Sequence, residues 1–181
     1  NHGYEFKPRN PQPPLLPEAN PVGVYRRDFE VPASWDGRDI YLHIAGAKSG
    51  LYVYVNGKEV GYSEDSKNPA EFLINKYLQP GKNVLTLKIF RWSTGSYLEC
   101  QDFWRLSGIE RDVYLWSQPK IAVNDYRIVS TLDDTYKNGI FSLAIDIKNH
   151  SDKVKNIDVT YELLDVKGNV AATAENKLWV S

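Results

Sequence analysis

The sequence predicts an all-β protein, and three observations support that prediction. Apolar and polar residues alternate with period two through a series of short runs, which is the pattern of half-buried strands. Turn residues separate these runs, most clearly Asn56-Gly57, where both positions suit the positive φ of a two-residue hairpin. No stretch of helical length shows an amphipathic 3.6-residue period. We expect two successive units, residues 1–119 and 120–181.

The chain opens with a proline-rich arm. Prolines recur from Pro8 to Pro21, and they exclude helix and the interior of a sheet. We therefore expect an extended, polyproline-like segment. Phe6, Leu15 and Leu16 give this arm apolar groups with which to dock on other structure, whereas a flexible tail would not need them.

Strands follow from Val24 to Ser117 in the first unit. A short helical turn is expected near Ile74–Leu78, because Pro80-Gly81 stops it from continuing. The predicted strands and the hairpin are Val24–Val31, Ile40–Ala45, Leu51–Tyr62 with its Asn56-Gly57 turn, Val84–Phe90 and Arg111–Ser117.

The segment Arg91–Ile109 combines aromatic rings with charged groups around Gly95, Ser96 and Gly108. Sugar C–H groups pack on aromatic faces and sugar hydroxyls bind charged groups, so this composition suits a sugar-contacting loop. The alternative is a plug that seals one domain against another. The aromatic and charged residues are Arg91, Trp92, Tyr97, Glu99, Asp102, Phe103, Trp104 and Arg105.

The second unit begins at Ile121 and is less aromatic. Its turn signals are spaced as in a β-sandwich, and Asp165–Asn169 marks a hairpin. About sixty residues are present, whereas an immunoglobulin-like sandwich needs about a hundred, so this unit looks truncated. Its predicted strands are Ala122–Leu132, Gly139–Asn149, Asn156–Asp165 and Val170–Ala174.

Composition excludes several functions. With 22 basic and 23 acidic side chains the net charge is −1, and without a basic stripe we expect no nucleic-acid or membrane partner.

Cys100 is the single cysteine, and we expect a structural thiol because His2, His43 and His150 form no recognisable catalytic pattern with it. The opening residues are unlike a signal peptide, and the chain lacks methionine, which suggests a fragment. The compartment, cytoplasmic or periplasmic, stays open.

Three segments resemble a known family in order and spacing. They are P-E-A-N-P-V-G-V-Y-R-R-D-F-E-V-P-A-S-W from Pro17, V-Y-V-N-G-K-E-V-G-Y-S-E-D-S-K-N-P-A-E-F from Val53, and R-W-S-T-G-S-Y-L-E-C-Q-D-F-W-R-L-S-G-I-E-R-D-V from Arg91. Together they are similar to the N-terminal part of family 2 glycoside hydrolases, most of all the large bacterial β-galactosidases. The start departs from the family, because H-G-Y-E runs almost directly into Phe6, where the family usually has a longer intervening stretch.

The resemblance implies a jelly-roll domain of the galactose-binding type, then an immunoglobulin-like β-sandwich, then a (β/α)8 catalytic barrel that is absent here. It implies a retaining parent enzyme that hydrolyses terminal β-galactosides, with two barrel glutamates ~5 Å apart. This fragment would be inactive alone and would hold no cofactor, whereas the full-length enzyme would use Na⁺ and Mg²⁺. A homo-oligomeric parent is also expected.

Two residues receive substrate roles from the resemblance. Asp102 would reach into the barrel's sugar pocket and bind galactose hydroxyls and a sodium ion, which suits a hard, acceptor-only carboxylate. Lys48 stands where the family often has a substrate-contacting asparagine, and this departure implies a different linkage or a substituted or acidic galactoside. The plainer alternatives are a loop salt bridge of Asp102 with Arg105 and a solvated Lys48.

Glu99 and Asp102 are not expected to form a catalytic pair, because they lie three residues apart in a turn-rich loop. We expect Glu99 to pair with Arg91 or Arg105.

Three hypotheses follow. The first is a non-catalytic N-terminal part of a β-galactosidase-type enzyme, in which the aromatic loop packs at a domain interface. The second is a free-standing carbohydrate-binding module with exposed aromatic rings. The third is a purely structural interaction domain. The fold does not separate them, because jelly rolls host many sugar binders.

Overall fold

The computed structural model describes residues 12–99, 104 and 106–181, and in these ranges the protein is all-β, as predicted. Within them no helix is long and apolar enough to cross a membrane. Three 3-10 turns occur, at Ala33–Trp35, Asn75–Tyr77 and Thr94–Tyr97. The strands are β1 (Val22–Glu30), β2 (Asp39–Ile44), β3 (Ala47–Lys48), β4 (Gly50–Val55), β5 (Lys58–Ser63), β6 (Ala70–Leu73), β7 (Lys82–Phe90), β8 (Gly108–Ile109), β9 (Val113–Gln118), β10 (Ile121–Leu132), β11 (Gly139–Asn149), β12 (Lys155–Leu164) and β13 (Val170–Val180).

Internal contacts divide the chain into two compact units, one ending at Ser117 and one running from Gln118 to Ser181. The first unit has a four-stranded sheet in the order β1-β7-β4-β5 and a three-stranded sheet in the order β6-β2-β9. Neighbouring strands of the four-stranded sheet are antiparallel. The short strands β3 and β8 form a separate pair, in which Lys48 lies opposite Gly108.

The two larger sheets of the first unit share one core. Burial alternates along β2 and β4, so that one face of each strand points inward, which is the period of two that the sequence predicts. The buried apolar residues of this core are Ile40, Leu42, Ile44, Ala47, Leu51, Val53, Val55, Ile74, Leu87 and Ile89.

The predicted turns of the first unit are confirmed. Asn56 and Gly57 have φ values of 51° and 77° and connect β4 to β5. The short helical turn expected near Ile74–Leu78 is the 3-10 turn Asn75–Tyr77. Asn75 links this turn to β2, because its Oδ1 accepts from the Ile40 N–H at 2.8 Å.

The second unit consists of two antiparallel strand pairs. β10 pairs with β11, and β12 pairs with β13 through the predicted hairpin at Asp165–Asn169. Gly168 in that hairpin has a φ of 84°, a conformation that glycine adopts without strain. The jelly-roll and immunoglobulin-like topologies of the two units stay predictions.

Candidate functional site

The aromatic segment leaves β7 through a tight turn. Ser93 caps the 3-10 turn Thr94–Tyr97 with a capping box, in which the Ser93 N–H donates to Ser96 Oγ at 3.0 Å. The S-T-G-S sequence allows this geometry, since serine is a favoured N-cap. Gly95 is required by space, because a Cβ there would lie 2.8 Å from the carbonyl oxygen of Glu64.

Glu64 fastens the beginning of this turn. Its carboxylate accepts from Thr94 Oγ1 at 2.7 Å and from the Gly95 N–H at 3.1 Å. Tyr62 adds a third donor at 3.1 Å. The hydrogen bond from Thr94, with those from Gly95, Tyr62 and Ser93, holds the pKa of Glu64 below its usual range.

Glu99 fastens the end of the turn, where the sequence led us to expect an arginine partner. Its carboxylate accepts from the Ser66 N–H at 2.8 Å and from Ser66 Oγ at 2.6 Å. The expected pair with Arg91 is therefore wrong among the described residues, and Arg105 lies outside them. A carboxylate with two well-placed donors is satisfied without a guanidinium group.

Ser49 joins the turn to a third segment. Its hydroxyl donates to Ser93 Oγ at 2.9 Å and lies 3.3 Å from Ser96 Oγ, and all three side chains belong to a polar cluster beneath the turn. Lys48, the residue before Ser49, pairs with Gly108, so its backbone lies beside the end of the aromatic segment.

The proline-rich arm docks on the same segment. Asn20 makes two hydrogen bonds with the backbone of Trp92, at 2.9 and 3.0 Å. Tyr97 donates its hydroxyl to the Leu15 carbonyl, and the Arg91 N–H donates to the Pro21 carbonyl at 2.9 Å. The described part of the arm, from Gln12 onward, is therefore held on other structure.

The aromatic rings differ in exposure. Trp92 is buried, with 7% of its surface exposed, and the Arg91 guanidinium carbon lies 5.0 Å from its ring centroid. Tyr97 is half-buried, whereas Trp104 is 77% exposed. Phe103 lies outside the described residues. The described rings of Trp92, Tyr97 and Trp104 therefore do not form one continuous exposed platform.

The two predicted substrate residues have different outcomes. Asp102 lies outside the described residues. Lys48 is only 9% exposed, and among the described residues its ammonium has no hydrogen-bond acceptor or carboxylate partner. A lysine ammonium donates hydrogen bonds and accepts none, so this position suits a ligand that supplies acceptors.

The described residues do not build a metal centre by themselves. In those ranges no group of three or more His, Cys, Asp or Glu side chains is placed to hold an ion. Lys48 is a donor-only cation and does not suit a metal ligand. A carboxylate at position 102 has the chemistry of a sodium ligand, but the remaining ligands would have to come from elsewhere in a longer protein.

A groove of about 700 Å³ opens between the sheets of the first unit. It is lined largely by apolar core residues such as Phe29, Leu85 and Val113, and Ile109 is the one described residue of the aromatic segment that lines it. It is the interior of the sandwich, and we assign no sugar to it.

Sequence reasoning missed the residues that hold the turn. Glu64, Ser66 and Ser49 contact residues 30 to 47 positions away, so no local pattern reveals them. The S-T-G-S capping box was the one local signal that could have marked the turn.

Comparison with known protein families identifies the family of the first unit. Residues 6–119 match the family model described as "Glycosyl hydrolases family 2, sugar binding domain". Because that match covers more than half of the chain, the chain belongs to glycosyl hydrolase family 2, as the resemblance implied.

Characterised relatives are longer than this chain. It is 45% identical over 154 residues to a β-galactosidase of Priestia megaterium, which covers 84% of this chain and 15% of the relative. It is 41% identical over 167 residues to a β-galactosidase of Halalkalibacterium halodurans, covering 92% and 16%. The chain thus spans about one sixth of these relatives.

Solved structures share the fold. A Bacteroides uniformis β-glucuronidase 2 covalently bound to cyclophellitol-6-carboxylate aziridine matches with a TM-score of 0.80 at 22% identity, over 88% of this chain and 20% of that one. A β-glucuronidase from an uncultured Clostridium species matches with a TM-score of 0.70 at 26% identity, over 88% and 29%.

Proposed function

We propose that these 181 residues are a non-catalytic part of a retaining β-galactosidase-type glycoside hydrolase that hydrolyses terminal β-galactosides. The observation that carries this proposal is the family 2 match over residues 6–119, together with 41–45% identity to β-galactosidases of which the chain spans about one sixth. The structural neighbours at 22% identity support only the fold, so their sugar does not enter the proposal.

The chemistry belongs to residues outside this chain. Retaining hydrolysis needs one carboxylic acid to protonate the leaving oxygen and a second carboxylate to attack the anomeric carbon, about 5 Å apart. We assign both to a (β/α)8 barrel that follows in the full-length protein. The first unit buttresses the barrel, and the second continues an immunoglobulin-like sandwich. A homo-oligomer is the assembly we assign to the full-length enzyme.

Asp102 is the residue through which this part reaches the sugar. We assign its carboxylate to galactose hydroxyls and to a sodium ion, with the other ligands supplied by the barrel. The turn Ser93–Glu99 supports that role, because it is hydrogen-bonded to three other segments, at Ser49, at Ser66 and at Leu15 of the arm. We assign no residue of this chain as a ligand for the Mg²⁺ of the full-length enzyme.

Lys48 is the proposed specificity residue. Lys48 is 9% exposed as a residue, and its ammonium can donate up to three hydrogen bonds, where an asparagine would both donate and accept. We therefore assign a substituted or acidic galactoside as a substrate that this position favours over an unmodified one.

Activity of the full-length protein tests the proposal. We expect it to cleave a nitrophenyl β-galactoside, and we expect Asp102→Ala to lower kcat/KM by at least about a hundredfold, since a charged group bound to the substrate is lost. Asp158→Ala, at an exposed position of the second unit paired with Lys177 at 3.7 Å, is the control and should leave kcat/KM unchanged. Unaltered kinetics in Asp102→Ala would remove the assignment.

The second candidate is a free-standing carbohydrate-binding module, and the exposed ring of Trp104 is the observation that favours it. Against it, Trp92 is buried and Tyr97 is tied to the arm, so few faces remain for stacking. Calorimetry of residues 1–181 with galactosides separates the two candidates. Millimolar or tighter affinity without the barrel would favour the module, and no heat of binding would favour the enzyme part.

A further inference from the structure

We propose that Asn138 is a site of spontaneous deamidation, whereas Asn56 is protected from the same reaction by the fold of the first unit. Each of these residues is followed by glycine, and they form the two Asn-Gly dipeptides of the chain. The reaction takes water as its only co-reactant, so it does not depend on the function proposed above.

Deamidation of an Asn-Gly dipeptide begins at the backbone nitrogen of the glycine. This nitrogen loses its proton to solvent base and attacks Cγ of the asparagine, and the Cγ–Nδ2 bond breaks to release ammonia. Water then opens the resulting succinimide at either carbonyl, which leaves aspartate or isoaspartate. Glycine favours the attack because it has no Cβ to hinder the approach. The asparagine amide must therefore be free to turn, and the glycine nitrogen must be available.

The side chain of Asn138 is free to turn. Asn138 is exposed, and within the described residues its side chain makes one hydrogen bond, from Nδ2 to Asp133 Oδ2 at 2.6 Å. This contact is open to solvent, so water can replace it. Asp133 also accepts from Thr135 and Lys137, so its carboxylate keeps donors when the Asn138 amide turns away.

The nitrogen of Gly139 is available for the attack. The Asp133 N–H donates to the Asn138 carbonyl at 2.9 Å, which makes these two residues a hydrogen-bonded pair. Leu132 and Gly139 are the next pair, and hydrogen-bonded pairs alternate with non-hydrogen-bonded pairs in an antiparallel ladder. The Gly139 N–H therefore points away from β10, and β11 pairs with no second strand in the described ranges.

The side chain of Asn56, by contrast, is held at both ends of its amide. Its Nδ2 donates to the Tyr77 carbonyl at 3.0 Å and to Asn83 Oδ1 at 2.7 Å, and its Oδ1 accepts from the Val84 N–H at 2.9 Å. Asn83 is fully buried. Because all three bonds must break before the Asn56 amide can turn toward Gly57, the reaction there has to wait for local opening of the first unit.

Deamidation of Asn138 would weaken the turn that this residue closes. The product places a carboxylate where an amide donor meets Asp133 Oδ2 at 2.6 Å, so two negative charges face each other. Isoaspartate also lengthens the backbone between β10 and β11. We therefore expect the connection 133–138 to loosen after the reaction.

Peptide mapping by mass spectrometry tests the proposal in the full-length protein, incubated in mildly alkaline buffer either folded or in guanidinium chloride. Exchange of NH₂ for OH changes the peptide mass, and isoaspartate separates by chromatography. In the folded protein we expect Asn138 to react at least about tenfold faster than Asn56. In guanidinium chloride the two rates should agree within about threefold, because both asparagines are then followed by an unhindered glycine.

Gly139→Ala is the variant that checks the site. A Cβ at this position meets nothing within 4 Å, so the fold is kept while the attack is hindered. We expect the reaction at Asn138 to slow at least about tenfold, with Asn56 in the same molecule as the unchanged internal control. The proposal is overturned by equal rates at Asn138 and Asn56 in the folded protein, by a faster reaction at Asn56, or by a rate at Asn138 that Gly139→Ala leaves unchanged.

Asn138→Asp imitates one product and tests the loosening of the turn. Hydrogen exchange of the peptide that contains residues 133–138, measured in the full-length protein, should be at least about threefold faster in this variant. Asn176→Asp, at an exposed position of β13, is the control and should leave that peptide unchanged. Equal exchange in Asn138→Asp and the unaltered protein would overturn the expected loosening.

Discussion

Asp133 illustrates at the residue scale how a surface carboxylate can be held by local donors. Hydrogen bonds from the side chains of Asn138 and Thr135, with backbone N–H groups of Lys137 and Asn138, lower the pKa of Asp133 to about 2. A lowered pKa means that the folded chain holds this proton less tightly than the unfolded chain does. The stabilisation is therefore complete above the ordinary value of 3.8 and is lost as the pH falls toward 2.

An NMR titration of the Asp133 carboxyl checks this prediction, with an expected midpoint of about 2. The variant Asn138→Ala removes the largest contribution, so its midpoint should move upward toward 3.8. A midpoint near 3.8 in the unaltered chain would contradict the structure of this turn.

At the scale of elements, the β4–β5 hairpin depends on the backbone conformation of its two turn residues. Gly57 has a φ of 77°, and a Cβ added there would meet nothing within 4 Å. Gly57→Ala should therefore destabilise the first unit through backbone strain alone, by about 1 kcal/mol. Gly139 is the control, because its added Cβ also meets nothing and no positive φ is required there.

Urea unfolding of the 181-residue chain, followed by circular dichroism, measures both variants. Gly57→Ala should lower the free energy of unfolding, whereas Gly139→Ala should leave it unchanged or raise it slightly. Equal effects of the two substitutions would show that the turn conformation does not limit stability.

The elements also show how far the sequence leads. The alternation in β2 and β4 and the Asn56-Gly57 turn are local patterns, so the strands and the hairpin could be predicted from them. The grip of Ser66 on Glu99 joins residues 33 positions apart, and it exists only after the sheets have packed. The expectation that Glu99 pairs with Arg91 failed because charge pairing was inferred from neighbours in sequence alone.

The burial of Trp92 carries the same lesson. The composition of the aromatic segment suggested a sugar-contacting surface, yet the ring of Trp92 is buried. The Asn20 side chain makes two hydrogen bonds with the Trp92 backbone. Composition shows which side chains a segment contains. Which of them become buried depends on how the segment packs after β7 has joined its sheet.

At the scale of the whole molecule, two facts support the proposed function. The chain belongs to glycosyl hydrolase family 2, and it spans only about one sixth of its β-galactosidase relatives. The chain covers about one sixth of the length of β-galactosidases to which it is 41–45% identical. It contains the two β units, the hydrogen-bonded turn Ser93–Glu99 and Lys48. The bond-breaking carboxyls are assigned to the remaining length. The structural likeness to a β-glucuronidase at 22% identity shows a shared fold, and a shared fold does not fix the sugar.

The central claim is tested most directly by the anomeric form of the sugar first released from a β-galactoside, followed by proton NMR for the full-length protein and for residues 1–181. The account predicts that the full-length protein releases β-galactose, with retention of configuration, and that residues 1–181 release none. Release of α-galactose, absence of cleavage by the full-length protein, or cleavage by residues 1–181 alone would contradict it.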